Sequence, residues 1–274
     1  MTAMPPTTAW KTTTCTRECQ TARMALVLCD VVDRVATITL NDARRRNTIS
    51  LAMNDELVAC IDALEKRDDV GAIVITGTAP AFCAGADLAD LAASSGPANL
   101  GNIYAGFLRV AHTNIPTIAA VNGVAVGAGM NMALACDLIV AARSARFDTR
   151  FLQIGIHPGG GHTWRLRRVT DQQTVMAMVL FGEQLDGDEA ARVGLAWRSV
   201  DDDQLLSEAT RLSLRAAAAP PELIRRTKET ILTLGDIDTS EAAVAHELAP
   251  QVWSMQQPAF QALLGTLQKN IGKA

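Results

Sequence analysis

Twice along this chain a short apolar run breaks into a glycine-rich turn and then into a helical pattern. "GAIVITG" leads into "TGTAPAFCAGADLADL" (76–91), and "IPTIAAVNG" leads into "AVNGVAVGAGMNMALACD" (120–137). An uninterrupted apolar run of this length fits a strand buried on both faces. A sheet made of such strands must be covered by helices, so the repeated unit confines the fold to the α/β class. "CDLIVAA" is a third run of the same kind.

The remaining segments extend the pattern. "ALVLCDVVDRVATITLND" reads as two short strands in a hairpin around "VVDRV". "SLAMNDELVACIDALEKRDD" has helical spacing, with Leu51, Met53, Leu57, Cys60, Ile61 and Leu64 on its apolar side and Ser50 as N-cap. Helices are expected over 86–93, 99–113 and 128–136. Beyond residue 160 they are expected over 161–169, 171–181, 187–193, 201–218, 220–233, 240–254 and 257–271. Pro220 and Pro221 fall at a helix start, where the missing N–H is harmless. The expected organisation is an α/β core over 24–200 followed by a helical region over 201–274. Periodicity leaves the sheet order open.

Residues 1–23 are rich in threonine and proline and lack periodicity, so a disordered N-terminal extension is expected there, with Met24 as the natural start. They also lack the apolar stretch of a secretory signal. No run approaches the roughly 18 apolar residues that cross a bilayer. A net charge of −4 gives no electrostatic footprint for nucleic acid or an anionic membrane. The six cysteines form no CxxC pair, so reduced, buried thiols in a cytoplasmic protein are expected.

Neither glycine turn is a dinucleotide fingerprint or a phosphate loop. Singly, each is an ordinary strand-to-helix turn. Together they suggest more. Glycine-rich turns leave backbone N–H groups bare at helix starts, where negative charge is favoured. Two such turns converging on one point would make an oxyanion hole.

At these residues the chain resembles the crotonase superfamily, also called the enoyl-CoA hydratase/isomerase family. The resemblance runs from about Met24 to the C-terminus. It rests on "LNDARRRNTIS", "AFCAGADL", "AVNGVAVGAGMNMALACDLIVAA", "GIHPGGG" and "LFGEQLDGDEAARVGLAWRSV", in the family's order and spacing. It implies a crotonase-like spiral of ββα repeats with a C-terminal helical trimerisation region, assembled as a homotrimer or a dimer of trimers. It implies an acyl-CoA thioester as substrate, whose carbonyl sits between two backbone N–H groups that stabilise an enolate. Carried over by position, those donors are Ala86 and Ala128. The same carry-over makes Arg44 and Arg45 candidates for the CoA phosphates. Ala84, Asp87, Leu88, Tyr104, Phe107, Phe151, Pro158 and Gly159 become further candidates for substrate contact. Coenzyme A is part of the substrate, so no separate cofactor and no metal is expected. Cys83 would lie near the nucleotide rather than act as a nucleophile.

The hydratases of this family use two glutamates to hold and activate water. By position these are Asn131 and Phe151 here, so both carboxylates are absent. Asparagine can hydrogen-bond a water but cannot take its proton, and phenylalanine can do neither. A positioned acid/base group contributes about 10²–10⁴-fold, so ordinary hydration is in doubt. Attention moves to "GIHPGGGHTW" (155–164), where His157 and His162 flank three glycines. They are either replacement acid/base groups or residues of a tight turn and the helix after it. Asp148, just upstream of Phe151, is a further catalytic candidate, although such a residue more often caps or pairs. Asp87 and Asp137 read as structural hydrogen-bond acceptors. The expected function is an acyl-CoA-processing enzyme of the hydratase/isomerase type. The alternative is a non-catalytic acyl-CoA-binding protein on the same fold.

Overall fold

The computed structural model describes residues 25–94 and 96–271. The extension over 1–23 and Met24 lie outside these residues, as do Cys15 and Cys19. The strands are β1 (Val27–Val32), β2 (Val35–Leu40), β3 (Ala72–Gly77), β4 (Ala81–Cys83), β5 (Thr117–Val121), β6 (Val124–Val126), β7 (Leu138–Ala142), β8 (Arg146–Asp148), β9 (Leu185–Asp186) and β10 (Arg198–Val200). The helices are α1 (Leu51–Leu64), α2 (Leu88–Ala93), α3 (Pro97–Ala111), α4 (Ala128–Leu134), α5 (His162–Val169), α6 (Gln172–Leu180), α7 (Gly187–Arg192), α8 (Leu205–Ala217), α9 (Pro221–Thr233), α10 (Ser240–Met255) and α11 (Pro258–Ile271).

Two sheets grow in step. The larger has the order β1-β2-β3-β5-β7-β10 and the smaller β4-β6-β8-β9. The pairs β3/β4, β5/β6 and β7/β8 each place one strand in each sheet, and the chain steps one strand along both sheets per turn. Neighbours in these series pair in parallel. The result is the spiral of ββα repeats. All residues of β3 and β5 are buried, as the unbroken apolar runs predict. The hairpin closes on Asp33 and Arg34, both left-handed (φ 49° and 67°), which suits a two-residue turn between twisted strands.

Ser50 caps α1 through the Met53 N–H, and Met53, Leu57, Ile61 and Leu64 form its buried stripe. Helix α8 lays Leu205, Ala209 and Ala217 against Val74, Ile118 and Val140 of the larger sheet. Lys228 of α9 ties this helical layer to the core. Its Nζ donates to Ile115 O (2.9 Å) and to Asp137 Oδ2 (2.7 Å). Asp137 also accepts from the backbone N–H and the hydroxyl of Thr117, so it is a structural acceptor. Farther out, α10 buries no residue and leaves Val244, Leu248 and Val252 exposed.

Three features differ from the sequence expectation. The smaller sheet leaves no mark in the sequence periodicity, because its strands of two or three residues are too short to show a period. Residues 202–204 form a 3-10 turn rather than the start of α8, with Asp202 Oδ1 accepting from the Ser144 N–H. The cysteines are not uniformly buried: Cys83 is enclosed, but Cys29 is exposed on β1 and Cys60 is half-buried on α1.

Candidate active site

Strands β4 and β6 are parallel neighbours, with Cys83 opposite Ala125. Three residues beyond each partner stand Ala86 and Ala128, so the register itself brings the two glycine turns side by side. A lone parallel bridge pairs Ala86 with Ile49. In it the Ile49 N–H donates to Gly85 O and the Asp87 N–H donates to Ile49 O, both at 2.8 Å. The N–H of Ala86 itself therefore faces the other way. Ala128 is the first residue of α4, where a backbone N–H has no partner within the helix. Among the described residues neither N–H donates a hydrogen bond. Both residues line one cavity of about 820 Å³, within the roughly 300–1,000 Å³ range of small-ligand sites.

Glycine permits this approach at two positions. Gly127 has φ 50°, which turns the chain from β6 into α4. A Cβ on Gly129 would lie 2.2 Å from Cys83 O, so the β4 and α4 backbones come together only because Gly129 has none.

The cavity wall opposite comes from α3 and from the 155–161 loop. Tyr104 lines it, and its hydroxyl lies over Gly159, where an added Cβ would sit 2.4 Å from Tyr104 Oη. Among the described residues Tyr104 Oη makes no hydrogen bond. Its ring packs on Phe107 at 5.5 Å between centroids. Phe107 is wholly buried behind it, under the Arg165 guanidinium.

Asn131 and Phe151 both line the cavity. Asn131 Nδ2 donates to Gly159 O (3.1 Å), and its Oδ1 meets His162 Nδ1 at 2.8 Å. The amide oxygen can only accept, so His162 carries its proton on Nδ1 and leaves Nε2 as a bare lone pair. That Nε2 has no partner among the described residues. His162 is 1% exposed and sits edge-on to the Phe151 ring at 4.8 Å. Burial, and secondarily the nearby Arg165, lower its pKa to about 4, so the ring is neutral. His162 thus stands behind Asn131 and Phe151 rather than in the cavity. His157 is exposed, lines the cavity and donates from Nδ1 to Pro158 O at 2.7 Å.

Toward the mouth, Asp87 caps α2 through the N–H groups of Ala89 (2.7 Å) and Asp90 (3.1 Å) and pairs with Arg45. Arg45, Ala84, Asp87 and Leu88 all line the cavity, and Arg44 is exposed and lies off the lining. The basic loop is held from beneath by buried Asn47, which donates to Thr78 O and Ala81 O. Asp148 does not line the cavity. It pairs with Arg150 and accepts from Gln184 Nε2 at 2.9 Å. Pro158 also lies off the lining. Cys83 is wholly enclosed, and burial pushes its thiol up to about 12. No three His, Cys, Asp or Glu side chains cluster as a metal site among the described residues, and no described helix is long and apolar enough to cross a membrane.

The model of the family described as enoyl-CoA hydratase/isomerase matches residues 31–261. This chain belongs to the enoyl-CoA hydratase/isomerase family. It is 45% identical over 250 residues to a probable enoyl-CoA hydratase of Mycobacterium tuberculosis, covering 88% of this chain and 97% of that one. It is 38% identical to 1,2-epoxyphenylacetyl-CoA isomerase of Escherichia coli, over 72% of this chain and 78% of that one. The crystal structure of enoyl-CoA hydratase from Bacillus anthracis superposes with a TM-score of 0.84 at 26% identity, covering 90% of this chain and 97% of that one.

Two cavity features of this enoyl-CoA hydratase/isomerase family member have no signal in the sequence. Arg150 lines the cavity from a left-handed backbone position (φ 55°), with its guanidinium paired to Asp148. Ile154 reaches it from the 3-10 turn after Phe151, and Ile156 from the loop that follows.

Proposed function

We propose that this family member acts on an acyl-CoA thioester, with the thioester carbonyl held between the N–H groups of Ala86 and Ala128. One observation carries this: both N–H groups lack a protein partner among the described residues, and both residues line one cavity. As an enolate forms, its oxygen gains negative charge and accepts from both donors. Each such donor is worth about 2.7–4 kcal/mol in a transition state. Arg45 at the mouth takes the CoA phosphates, with Arg44 as the next residue along the same exposed basic loop. Coenzyme A arrives as part of the substrate, so the scheme needs neither metal nor separate cofactor.

Asn131 and Phe151 replace the two hydratase glutamates, so the reaction is a proton relocation along the acyl chain rather than addition of water. Such an isomerisation needs one proton carrier. The cavity offers His157, whose Nε2 is left as an acceptor once Nδ1 donates to Pro158 O, and Tyr104, whose hydroxyl is uncommitted. His162 acts by holding Asn131, and Asp148 by holding Arg150. The protein works in the cytoplasm as a homotrimer or a dimer of trimers built by the helices of 201–274. The exposed Val244, Leu248 and Val252 of α10 support that assembly.

A second reading, acyl-CoA binding without chemistry, is favoured by Asn131, whose amide oxygen and one of whose amide protons are already engaged inside the protein. The test is mass spectrometry of saturated and enoyl-CoA thioesters incubated with the protein in D₂O, with isothermal titration alongside. Deuterium uptake by the acyl group, lost in His157→Ala or Tyr104→Phe, is the expected result. Binding of a thioester with no uptake selects the non-catalytic reading, and no binding at all sinks both.

A further inference from the structure

Strand β1 runs alongside α1 in matched steps. Glu56 Oε2 accepts from the N–H groups of Leu26 (2.7 Å) and Val27 (3.0 Å), which pins the start of β1 to the helix. Two residues of strand advance about 6.8 Å, and four residues of helix about 6.0 Å. One step from Val27 and Glu56 therefore brings Cys29 beside Cys60. Val27 and Val31, which flank Cys29 on the same face of β1, pack with Cys60 of α1 against one core cluster. Both cysteines belong to the seam where β1 packs on α1, and neither lines the candidate active-site cavity.

We propose that Cys29 and Cys60 are a modification site, a dithiol that a hydroperoxide converts into a reversible disulfide joining the N-terminal hairpin to α1. The two sulfurs divide the work. Cys29 is exposed and accessible to the oxidant. Its pKa is lowered to about 7, chiefly because the Cys60 thiol donates to it and further because Arg67 is near, against the opposing effect of burial. Cys60 keeps its proton, pushed far up by that same hydrogen bond and by burial. Reactivity follows thiolate character and exposure, so Cys29 attacks first.

The Cys29 thiolate forms a bond to one peroxide oxygen, and the O–O bond breaks. The other oxygen leaves as hydroxide or alkoxide and takes up a proton, and Cys29 becomes a sulfenic acid. The Cys60 sulfur then bonds to the Cys29 sulfur, and the sulfenic hydroxyl leaves with the Cys60 proton as water. Two thiols and one hydroperoxide yield one disulfide, one alcohol or water, and one water. A dithiol reductant reverses the change by exchange.

The full chain is treated with substoichiometric hydrogen peroxide, blocked with an alkylating agent, digested and analysed by mass spectrometry. The expected product is a peptide pair joined through Cys29 and Cys60, two hydrogens lighter than the reduced pair and restored by dithiothreitol. In Cys60→Ser the Cys29 peptide should instead be trapped as a sulfenic acid adduct. The proposal is overturned if Cys29 and Cys60 remain fully alkylatable while other cysteines oxidise. It is equally overturned if Cys29 gains oxygen atoms with Cys60 present, or if Cys29 links to Cys15, Cys19 or a second chain instead.

Discussion

Asn131 Oδ1 lies 2.8 Å from His162 Nδ1, a buried hydrogen bond between an asparagine of the cavity wall and a histidine enclosed behind it. The bond fixes which end of the amide faces the cavity. It also fixes the histidine as a neutral donor. Its pKa of about 4 in the fold is below its ordinary 6.5, so between these values the unfolded chain binds the extra proton. Stability is therefore full above about pH 6.5 and falls as pH drops toward 4. The loss should be on the order of 2–3 kcal/mol by pH 4. Chemical denaturation of the wild type and of His162→Gln between pH 4.5 and 7 should show that slope in the wild type and a weaker one in the variant. Equal slopes would mean that His162 is not held neutral.

Ala128 stands at the first position of α4, where proline is tolerated by the helix. Ala128→Pro should remove the N–H and lower kcat by about 10²–10³-fold. Ala128→Gly keeps the N–H and should stay within a few-fold of wild type. Steady-state kinetics on whichever thioester exchanges deuterium would separate the two, and equal losses would assign the position to packing.

Gly129 faces the Cys83 carbonyl, and the added Cβ of Gly129→Ala would meet backbone rather than a side chain that can swing away. A destabilisation of about 1–3 kcal/mol is expected, as for other overpacked sites. Gly101 has no atom within 4 Å of its would-be Cβ, so Gly101→Ala serves as the unstrained control. Thermal melts of the two variants give the comparison.

Arg45 and Asp87 form an ion pair at the cavity mouth. Arg45→Ala should raise KM for CoA thioesters about tenfold or more, since a hydrogen bond to a charged group is worth roughly 1.5–3 kcal/mol. It should leave KM for the matching pantetheine thioester, which lacks the nucleotide, nearly unchanged. A parallel rise for both substrates would place Arg45 in a structural role.

The order of buried strands and helices was legible because long segments repeat their apolar positions with a clear period, as in Met53, Leu57, Ile61 and Leu64. The second sheet was not, since β4, β6 and β8 are three residues each and lie inside or beside glycine turns. The turns of Ala86 and Ala128 could be recognised from their glycines, but their juxtaposition depends on the register of β4 with β6, a long-range pairing. The histidines show the limit most clearly. Both stand in one ten-residue stretch, yet across the left-handed Gly160 and Gly161 His162 turns inward beneath Asn131 while His157 stays in the cavity wall. Arg150 is illegible for a similar reason, because a left-handed arginine has no sequence signature.

The most direct measurement of the central claim is the infrared difference spectrum of a thioester bound to the protein, with its carbonyl labelled as ¹²C or ¹³C. Polarisation by the N–H groups of Ala86 and Ala128 predicts a bound C=O stretch shifted to lower frequency than in water, with the shift reduced in Ala128→Pro. A bound carbonyl that absorbs at its solution frequency, or a shift that Ala128→Pro leaves intact, would contradict the assignment of these two groups.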